Sequence, residues 1–510
     1  MPSVAPAPVG VPRPDRVTPV ALSALVGPAG LSATLFGTDV AVSGVTMSSA
    51  QVRRGDLFVG APGHAAHGAS FAASALAAGG VAVLTDLAGQ AFLPQGVPTV
   101  VVDDVRSAVG PVAARVYDEP SRRLAVLGIT GTSGKTTTSY FVRAGLQAAG
   151  RSCGLIGTVA TLIGDDAVKT GFTTPEAPDV QALLAVMHER GLDSVAMEVS
   201  SHALALGRAD GIEFAVGAFT NLSQDHLDFH DDMDDYFGAK ARLFDGRSRS
   251  AVICIDDEWG RRMAEVAGPS ALTVSTGGDP RASWQSVDVR TDSAGGTIFR
   301  ALGPGVDVAA GCSVPGTFNV ANALLALAIL DAAGVAPEIA AGAVARAAVP
   351  GRMERVDVGQ SFLAVVDYSH KPAAVEGALR ALRPLTAGRL IIVLGSGGDR
   401  DRAKRSIMGE IAARGSDLLI VTDDNPRSED PAAIRQTMLA GALAVPTGER
   451  GAVRELGDRA EGIAAAVAAA SPGDTVLVAG KGHERGQEIA GFVHPFDDRD
   501  VLTAALRASL

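Results

Sequence analysis

A glycine-rich stretch followed by a lysine and two threonines is the part of this sequence that most clearly predicts chemistry. It consists of Gly131, Thr132, Ser133, Gly134, Lys135, Thr136 and Thr137. Glycines let successive backbone N–H groups point at a phosphate, and the start of a helix adds partial positive charge. We expect Lys135 to reach the terminal phosphates and the Thr136 hydroxyl to ligate Mg²⁺. The stretch therefore predicts a nucleoside triphosphate site.

The elements predicted around this loop support that interpretation. The apolar run 124–129 predicts a buried strand, and residues 139–149 predict a helix. The spacing is a variant of the usual one, because Ile129 stands where a glycine is expected and glycines lie at 128 and 131 instead. A chance Gly-Lys-Thr in a glycine-rich chain is the alternative, but the strand, loop and helix context argues against it.

A second polar group lies at the end of the apolar run 194–198. Glu198 closes this predicted strand and is followed by hydroxyl side chains and an imidazole. A carboxylate at a strand end near a phosphate loop can hold Mg²⁺, directly or through water. A helix N-cap made by Ser200 or Ser201 is a second interpretation, and it is compatible with the first.

The loop 221–230 contains two histidines among carboxylates. His226 could ligate a metal through a neutral ring nitrogen, and a solvated acidic loop is an equal alternative. No glutamate follows His226 as in a zinc-protease helix, which argues against zinc hydrolysis. Lys240 lies on the next predicted helix, where a surface lysine is the default expectation.

The last third of the chain has polar residues where predicted strands end. Asn319 could pair with a base edge or cap a helix, Arg352 suits a phosphate or a stacked base, and Asp367 could accept hydrogen bonds from a ribose. Farther on, Arg400 and Arg427 could grip a carboxylate, and Glu484 could bind an ammonium. An amino acid carries both groups, so it is the predicted ligand; a structural ion-pair network is the alternative.

Composition limits the class of protein. With 510 residues the chain has room for roughly three domains of about 150 residues each. A net charge of −12 argues against non-specific nucleic-acid binding. Three scattered cysteines suggest buried thiols in a reducing compartment, and no apolar run approaches the roughly 18 residues of a membrane helix. We therefore expect a cytoplasmic enzyme with no membrane insertion and no nucleic-acid partner.

Polar breaks at 120–123 and 349–351 divide the chain. We predict a disordered, proline-rich tail over residues 1–25, which lacks the pattern of a signal peptide. A small N-terminal α/β domain (26–122) follows, then a central domain with a mostly parallel sheet (123–350) and a C-terminal Rossmann-like α/β domain (351–510). The predicted fold class is thus α/β with three domains.

Taken together, these motifs resemble the Mur ligase family, the ATP-dependent amide-bond ligases of bacterial peptidoglycan synthesis. The resemblance covers nearly the whole chain after the first two dozen residues and is greatest to members that add the third residue of the peptide stem. Asp424-Asn425-Pro426-Arg427 matches the motif of members that add meso-2,6-diaminopimelate, whereas lysine-adding members have other residues there. The resemblance implies a UDP-binding first domain, an ATP-binding central domain and an amino-acid-binding third domain.

The resemblance also implies a set of residues for each substrate. The implied ATP-binding residues are 131–137 together with Asn319, Arg352 and Asp367. The implied binding residues for the acceptor UDP-MurNAc-L-Ala-D-Glu are Met47, Ser49, His64, Ala65, Ala66, Thr173, Thr174, Ser200 and Arg208. The implied diaminopimelate-binding residues are Arg400, Asp424, Asn425, Pro426, Arg427, Gly480 and Glu484. Two positions depart from the family: Ser48 replaces a common aspartate, and Leu206 replaces a polar contact of some relatives.

The implied chemistry is ATP-driven ligation through an acyl phosphate. The implied catalytic residues are Lys135, Glu198, His226 and Lys240, with Mg²⁺ held by Thr136, Glu198, His226 and a carbamylated Lys240. We expect a monomer. A lysine-adding or folate-type ligase is the alternative within this class. A nucleotide-switched P-loop binding protein, which would hydrolyse ATP without a sugar-nucleotide acceptor, is the alternative outside it.

Overall fold

Strands that alternate with helices along the chain form three large sheets. The computed structural model describes residues 10–27, 32–63, 65–291 and 296–510. The chain divides into two compact units. Unit 1 contains Met1–Ser286, Ala301–Val308 and Ala321–Val344, and unit 2 contains Val287–Arg300, Ala309–Val320 and Ala345–Leu510.

The first sheet of unit 1 has five strands. Their spatial order is Ala33–Phe36, Thr99–Val102, Ala82–Thr85, Asp56–Gly60 and Gly44–Thr46. The pairing is parallel except between the first two strands. The sequence is rich in valine and leucine here because a largely parallel sheet is buried on both faces. This sheet confirms the predicted N-terminal α/β architecture.

The second sheet of unit 1 carries the phosphate loop. Its order over the strands of this unit is Asp166–Val168, Thr161–Ile163, Cys153–Ile156, Ser194–Glu198, Ala125–Thr130, Phe214–Phe219, Ser248–Cys254 and Leu272–Ser275. The strand Thr161–Ile163 pairs antiparallel with both of its neighbours. The other pairings are parallel, in agreement with the predicted mostly parallel sheet. Parallel register sets Glu198 beside Ile129, so the carboxylate and the phosphate loop leave the sheet at the same edge.

The sheet of unit 2 has six strands. Their order is Glu354–Arg355, Leu363–Asp367, Thr475–Ala479, Leu390–Leu394, Leu418–Val421 and Ala452–Glu455, and only the first pair is antiparallel. Register aligns the final residues of three neighbouring strands, Asp367, Ala479 and Leu394. The loops that follow them therefore meet at one edge, the position at which open α/β sheets bind ligands.

Helices connect these strands. Those of ten or more residues are Val105–Val116, Lys135–Ala148, Ala177–Glu189, Glu258–Ala267, Thr317–Ala332, Pro337–Arg346, Pro372–Leu382, Lys404–Gly415, Pro431–Ala444, Arg459–Ala469 and Asp498–Ser509. The shorter ones are Leu22–Val26, Ala72–Ala77, Leu87–Gln90, Ser201–Ala205 and Met233–Ala241. The remaining strands are Val20–Ala21, Ala41–Val42, Trp284–Thr291, Thr297–Gly303, Val306–Cys312, Gly486–Ile489 and Phe492–Pro495. In the described part of the chain, every helix is too short or too polar to cross a lipid bilayer.

The prediction of a disordered tail is wrong for residues 10–25; residues 1–9 lie outside the described part. Arg13 Nη1 lies 2.7 Å from both carboxylate oxygens of Asp56, and both side chains are largely buried. Val11, Leu22 and Leu25 are buried in the hydrophobic core of unit 1. Pro12, Pro14 and Pro19 disfavour a helix before Leu22 but allow an extended path, and the buried Asp56 charge requires a partner.

Replacing Arg13 by alanine should destabilise unit 1 by roughly 3–5 kcal/mol, because Asp56 would be left as a buried carboxylate without its guanidinium. Thermal unfolding of the variant measures the effect. The nearby Arg16→Ala, at a position whose side chain makes no ion pair among the described residues, serves as the control. An unchanged melting temperature for Arg13→Ala would contradict the assignment of this segment to the folded core.

Candidate active site

The predicted phosphate loop lies between the strand Ala125–Thr130 and the helix Lys135–Ala148. Two of its residues must be glycine. Gly131 has φ of 141° and Gly134 has φ of 89°, conformations that side chains disfavour. In addition, a Cβ atom at Gly131 would overlap the hydroxyl of Thr220. The loop thus has the backbone that a phosphate cradle requires, as the sequence predicts.

Two residues of a neighbouring strand end hold this loop. Asn221 O accepts a hydrogen bond from Thr132 N at 2.9 Å, and Asn221 Oδ1 accepts one from Ser133 N at 3.1 Å. The Thr220 hydroxyl donates to Ser133 O at 2.7 Å. Sequence analysis did not assign Thr220 and Asn221 to this loop. Only their position after a strand that pairs with Ala125–Thr130 could have indicated this role.

Two lysine ammonium groups converge on the same carbonyl. Lys135 Nζ donates to Gly131 O at 2.8 Å and to Thr132 O at 3.0 Å, and Lys240 Nζ donates to Gly131 O at 2.9 Å. Lys240 is 1% exposed and lies over the Tyr236 ring, so the expectation of a surface lysine is wrong. Two neighbouring cations favour an anion at this loop, or the loss of one of the two charges.

Glu198 and Thr136 are brought together as predicted. The Thr136 hydroxyl donates to Glu198 Oε2 at 3.0 Å, and Thr158 donates to both carboxylate oxygens, through N at 2.9 Å and Oγ1 at 3.0 Å. Glu198 is 1% exposed. The helix-cap interpretation also holds, because Ser200 Oγ accepts a hydrogen bond from Ala203 N at 3.1 Å.

His226 lies in a cluster of rings beside this edge of the sheet. Its ring centroid is 4.8 Å from that of His202, and its Nε2 is 3.1 Å from Asp225 Oδ2. Burial, with a smaller contribution from His230, lowers the pKa of His202. Within the described residues, no three His, Cys, Asp or Glu side chains are grouped so as to hold a metal by themselves. A metal role for His226 therefore stays a prediction.

A cavity of about 370 Å³ lies in unit 1 where the uridine nucleotide is predicted to bind. Met47 and Ala66 line it as expected, and so does Ser48, one of the two positions that depart from the family. Ser49 and Ala65 are not among its described lining residues. The predicted contact His64 lies outside the described residues.

Three charged residues that sequence analysis missed also line this cavity: Arg106, Glu176 and Asp179. Glu176 pairs with Arg106 at 2.8 Å and with Arg208 at 3.0 Å. The Arg208 guanidinium lies 4.3 Å from the Phe172 ring centroid. The predicted acceptor residue Arg208 is thus linked to the cavity through the Glu176 carboxylate. In the sequence, only the position of Glu176 two residues after Thr174 could have indicated this role.

Thr173 and Thr174 connect this network to Glu198. The Thr174 hydroxyl donates to Glu198 O at 2.9 Å and accepts from Ser200 N at 3.2 Å. Thr173 Oγ1 is 3.0 Å from Thr158 Oγ1, which itself contacts the Glu198 carboxylate. The structure therefore brings the predicted acceptor residues 173, 174, 200 and 208 to the same sheet edge as the phosphate loop.

In unit 2, the residues predicted to bind the nucleoside lie at the start of the domain. The Arg352 guanidinium is 4.3 Å from the Tyr368 ring centroid. Burial raises the pKa of Asp367 to about 6, while the positive charge of Arg352 opposes this shift. The Asn319 amide donates to Pro315 O at 2.7 Å, so its nitrogen supports the loop before its helix.

The raised pKa of Asp367 predicts a pH-dependent stability. A folded-state pKa of about 6, above the ordinary 3.8, means that the folded chain binds this proton more tightly. The contribution of the protonated Asp367 to the free energy of unfolding is complete below the pKa of this group in the unfolded chain. It is lost as the pH rises through the folded-state pKa of about 6. The free energy of unfolding of Asp367→Asn should therefore be close to that of the wild type near pH 4 and exceed it near pH 8 by roughly 1–3 kcal/mol, as measured by denaturant unfolding at both pH values. A variant that is less stable at the higher pH would contradict this assignment.

The three loops predicted to bind an amino acid meet in unit 2. Asn425 Nδ2 donates to Glu484 Oε2 at 2.8 Å, and Gly398 N donates to Asn425 O at 2.8 Å. Gly480 has φ of 121°, and a Cβ there would be 2.7 Å from Asp424 Oδ2, so a side chain would displace this carboxylate. The predicted residues 424–427, 480 and 484 thus form one cluster.

The two arginines predicted for the amino-acid site differ. Arg427 Nη1 donates to Gly398 O at 2.7 Å, and its Nε is 3.3 Å from Glu488 Oε2. Its φ of 53° places it in the left-handed region, which a loop adopts only under tertiary constraint. Arg400 is exposed. Glu488 lies on the strand Gly486–Ile489, which forms a hairpin with Phe492–Pro495 that sequence analysis did not predict.

Comparison with known proteins agrees with this geometry. Three family models match: "Mur ligase family, catalytic domain" over residues 41–117, "Mur ligase middle domain" over 129–330, and "Mur ligase, glutamate ligase domain" over 351–482. The predicted domain boundaries after 122 and 350 fall between these ranges and stay predictions.

Full-length relatives bear specific names. The chain is 54% identical to the UDP-N-acetylmuramoyl-L-alanyl-D-glutamate–2,6-diaminopimelate ligase of Streptomyces avermitilis, over 98% of each protein. It is 53% identical to the ligase of the same name from Corynebacterium efficiens, over 90% of this chain and 89% of that protein.

Solved structures agree in fold. A structure of a ligase with this name superposes with a TM-score of 0.69 at 29% identity, covering 96% of this chain and 99% of that one. MurF from Acinetobacter baumannii superposes with a TM-score of 0.65 at 17% identity, covering 96% and 99%, which supports the fold alone. The family models and the full-length relatives, which agree with the phosphate loop and the cavity of unit 1, establish that the chain belongs to the Mur ligase family of ATP-dependent ligases, with the three-domain α/β fold of that family.

Proposed function

We propose that this protein joins meso-2,6-diaminopimelate to the D-Glu γ-carboxylate of UDP-MurNAc-L-Ala-D-Glu in peptidoglycan precursor synthesis. The observation that carries the proposal is the cluster formed by Asp424, Asn425 and Arg427 with Glu484. It offers a guanidinium for a carboxylate and carboxylates for an ammonium on one set of loops. The names of the full-length relatives support the same substrates.

The chemistry follows from the difficulty of using a carboxylate as an acyl donor. The γ-carboxylate attacks the γ-phosphorus of ATP, which forms an acyl phosphate and releases ADP. The neutral amine of the incoming amino acid then attacks the acyl carbon, and inorganic phosphate leaves. Lys135 and the backbone N–H groups of the phosphate loop offset the charge on the transferred phosphoryl group. No protein nucleophile is needed, so catalysis depends on positioning and electrostatics.

The residues at the loop fit Mg²⁺. Thr136 and Glu198 supply a hydroxyl and a carboxylate oxygen 3.0 Å apart, and Mg²⁺ binds through one or two such oxygens with water and substrate phosphates completing its shell. When bound there, the ion neutralises phosphate charge. As an ammonium, Lys240 cannot ligate a cation, so a metal role for it requires carbamylation.

We expect Lys240 to be carbamylated in the active enzyme, because the modification removes one of two positive charges that meet at Gly131 O. Native mass spectrometry in bicarbonate buffer should detect one added carbon dioxide. Lys240→Ala should lower kcat about 100-fold, with partial rescue by a small carboxylic acid that replaces the carbamate. Lys169→Ala, which alters an exposed lysine of the same unit, is the control. Full activity of an unmodified Lys240 would contradict the expectation.

The decisive experiment measures phosphate release with ATP, UDP-MurNAc-L-Ala-D-Glu and a panel of amino acids, with mass detection of the product. We expect turnover with meso-diaminopimelate and little with lysine. Turnover with lysine instead would support a lysine-adding ligase. ATP hydrolysis independent of the sugar nucleotide would support a nucleotide-switched binding protein.

We also propose a cytoplasmic monomer. The three cysteines are buried free thiols, which is consistent with a reducing compartment. Light scattering after size exclusion tests the oligomeric state, and fractionation of cells tests the location.

A further inference from the structure

We propose that Lys481 is a positioning residue that sets the orientation of Asn425 and the charge balance around Glu484 for the amino-acid substrate. The inference rests on the proposed function only in taking the cluster of residues 424–427 and 480–484 to be the amino-acid site. No role was predicted for Lys481 from sequence.

Lys481 is a completely buried lysine directly after a central strand. It is 0% exposed and follows Thr475–Ala479, the strand between Leu363–Asp367 and Leu390–Leu394. A buried ammonium is costly unless acceptors surround it. Here Nζ donates to Asn425 Oδ1 at 2.8 Å and to Glu484 Oε2 at 3.2 Å.

The first of these contacts decides which way the Asn425 amide faces. Asn425 Oδ1 accepts from Lys481 Nζ at 2.8 Å and from Glu488 N at 3.0 Å. Its Nδ2 therefore faces Glu484 Oε2, to which it donates at 2.8 Å. A flipped amide would set its NH₂ group against an ammonium and a backbone N–H, and its oxygen against a carboxylate. Lys481 thus acts together with Glu488 N and the Glu484 carboxylate to disfavour the flipped state.

The second effect is on charge. Lys481 Nζ lies 3.5 Å from Asp424 Oδ1 and 3.2 Å from Glu484 Oε2, so one cation lies between two carboxylates. The Glu484 side chain is 32% exposed, which leaves it accessible to a ligand. Without the lysine, the two carboxylates would repel each other and Glu484 would lose one of its partners. The position of Glu484, and hence its fit to an ammonium, would change.

The test replaces Lys481 by methionine, which keeps the length of the side chain but removes its charge, and by glutamine, which keeps one donor. Full-length variants are assayed by phosphate release with the three substrates, using whichever amino acid the wild type prefers. We expect Lys481→Met to raise the KM for that amino acid about 10- to 100-fold, and Lys481→Gln to raise it less. The KM values for ATP and for the sugar nucleotide should stay within about twofold.

Arg389→Met is the matched control. Arg389 pairs with Asp474 at 3.0 Å, and it precedes the strand Leu390–Leu394 whereas Lys481 follows a strand, so it lies at the opposite end of the same sheet. It should leave all three KM values unchanged.

Three results would overturn the proposal: a fall in kcat with an unchanged amino-acid KM, an equal rise in all three KM values, or failure of both Lys481 variants to fold. The first would assign Lys481 to the chemical step rather than to amino-acid binding, and the other two would make it a structural residue. A wild type that uses no amino acid would instead refute the proposed function, so the two failures are distinguishable.

Discussion

Lys135→Ala should lower kcat for phosphate release at least about 10²–10³-fold, the cost of removing one preorganised charge from a transferred phosphoryl group. The ammonium is held at the loop by Gly131 O and Thr132 O, so its position does not depend on a mobile segment. Alanine is the best helix former, and Lys135 begins the helix Lys135–Ala148, so the fold should survive. Single-turnover phosphate release and circular dichroism measure the two effects.

Lys169→Ala is again the appropriate control, because it removes an exposed lysine of unit 1 and should leave the rate unchanged. If Lys135→Ala retained wild-type turnover with an intact fold, the loop 131–137 would not be the site of phosphoryl transfer. A loss of turnover together with a loss of helix content would point to a structural role instead.

Arg427→Ala should raise the KM for diaminopimelate about 100-fold, because a charge-assisted hydrogen bond to a carboxylate is worth roughly 1.5–3 kcal/mol. Arg427 is held by Gly398 O at 2.7 Å and Glu488 Oε2 at 3.3 Å, so its guanidinium has a defined position. The KM for ATP should not change. Steady-state kinetics with each substrate varied in turn distinguishes the two constants.

Arg380→Ala is a matched control in the same unit, since Arg380 is 73% exposed and its ion-pair partner among the described residues is Glu376 on its own helix. If Arg427→Ala altered the KM for ATP alone, the assignment of the loop 424–427 to the amino acid would be wrong. The left-handed φ of 53° at Arg427 also makes Arg427→Gly informative. Glycine relieves the backbone strain, so a higher KM for diaminopimelate in this variant can be attributed to the loss of the arginine side chain.

The strands of the site could be predicted from sequence because apolar runs that end in polar residues are a local pattern. Ser194–Glu198 lies where it was expected, and Ala125–Thr130 is shifted by one residue from the expected run 124–129. The helix after the phosphate loop begins at Lys135 rather than 139. Its first turns contain several threonines, whose low helix propensity concealed the start.

Other features depended on contacts between residues distant in sequence. The proline-rich segment before residue 25 was predicted to be disordered, yet Arg13 is joined to Asp56, 43 positions later. From the residues alone a surface position was the default for Lys240, and only the family resemblance implied a catalytic role. It is buried against Gly131, 109 positions earlier. Local composition does not reveal either contact, because the sequence around a charged residue does not show whether its side chain is buried with a partner or exposed to solvent.

The sequence by itself determined that this protein has a phosphate loop, an α/β architecture and the motifs of the Mur ligase family, because glycine spacing and strand periodicity are properties of neighbouring residues. The tertiary structure decided which side chains support those motifs. Asn221 at the phosphate loop, Glu176 between two arginines, and Lys481 at Asn425 all contact residues distant in sequence. Parallel register brings the ends of separate strands to one edge, and only the folded sheet sets that register.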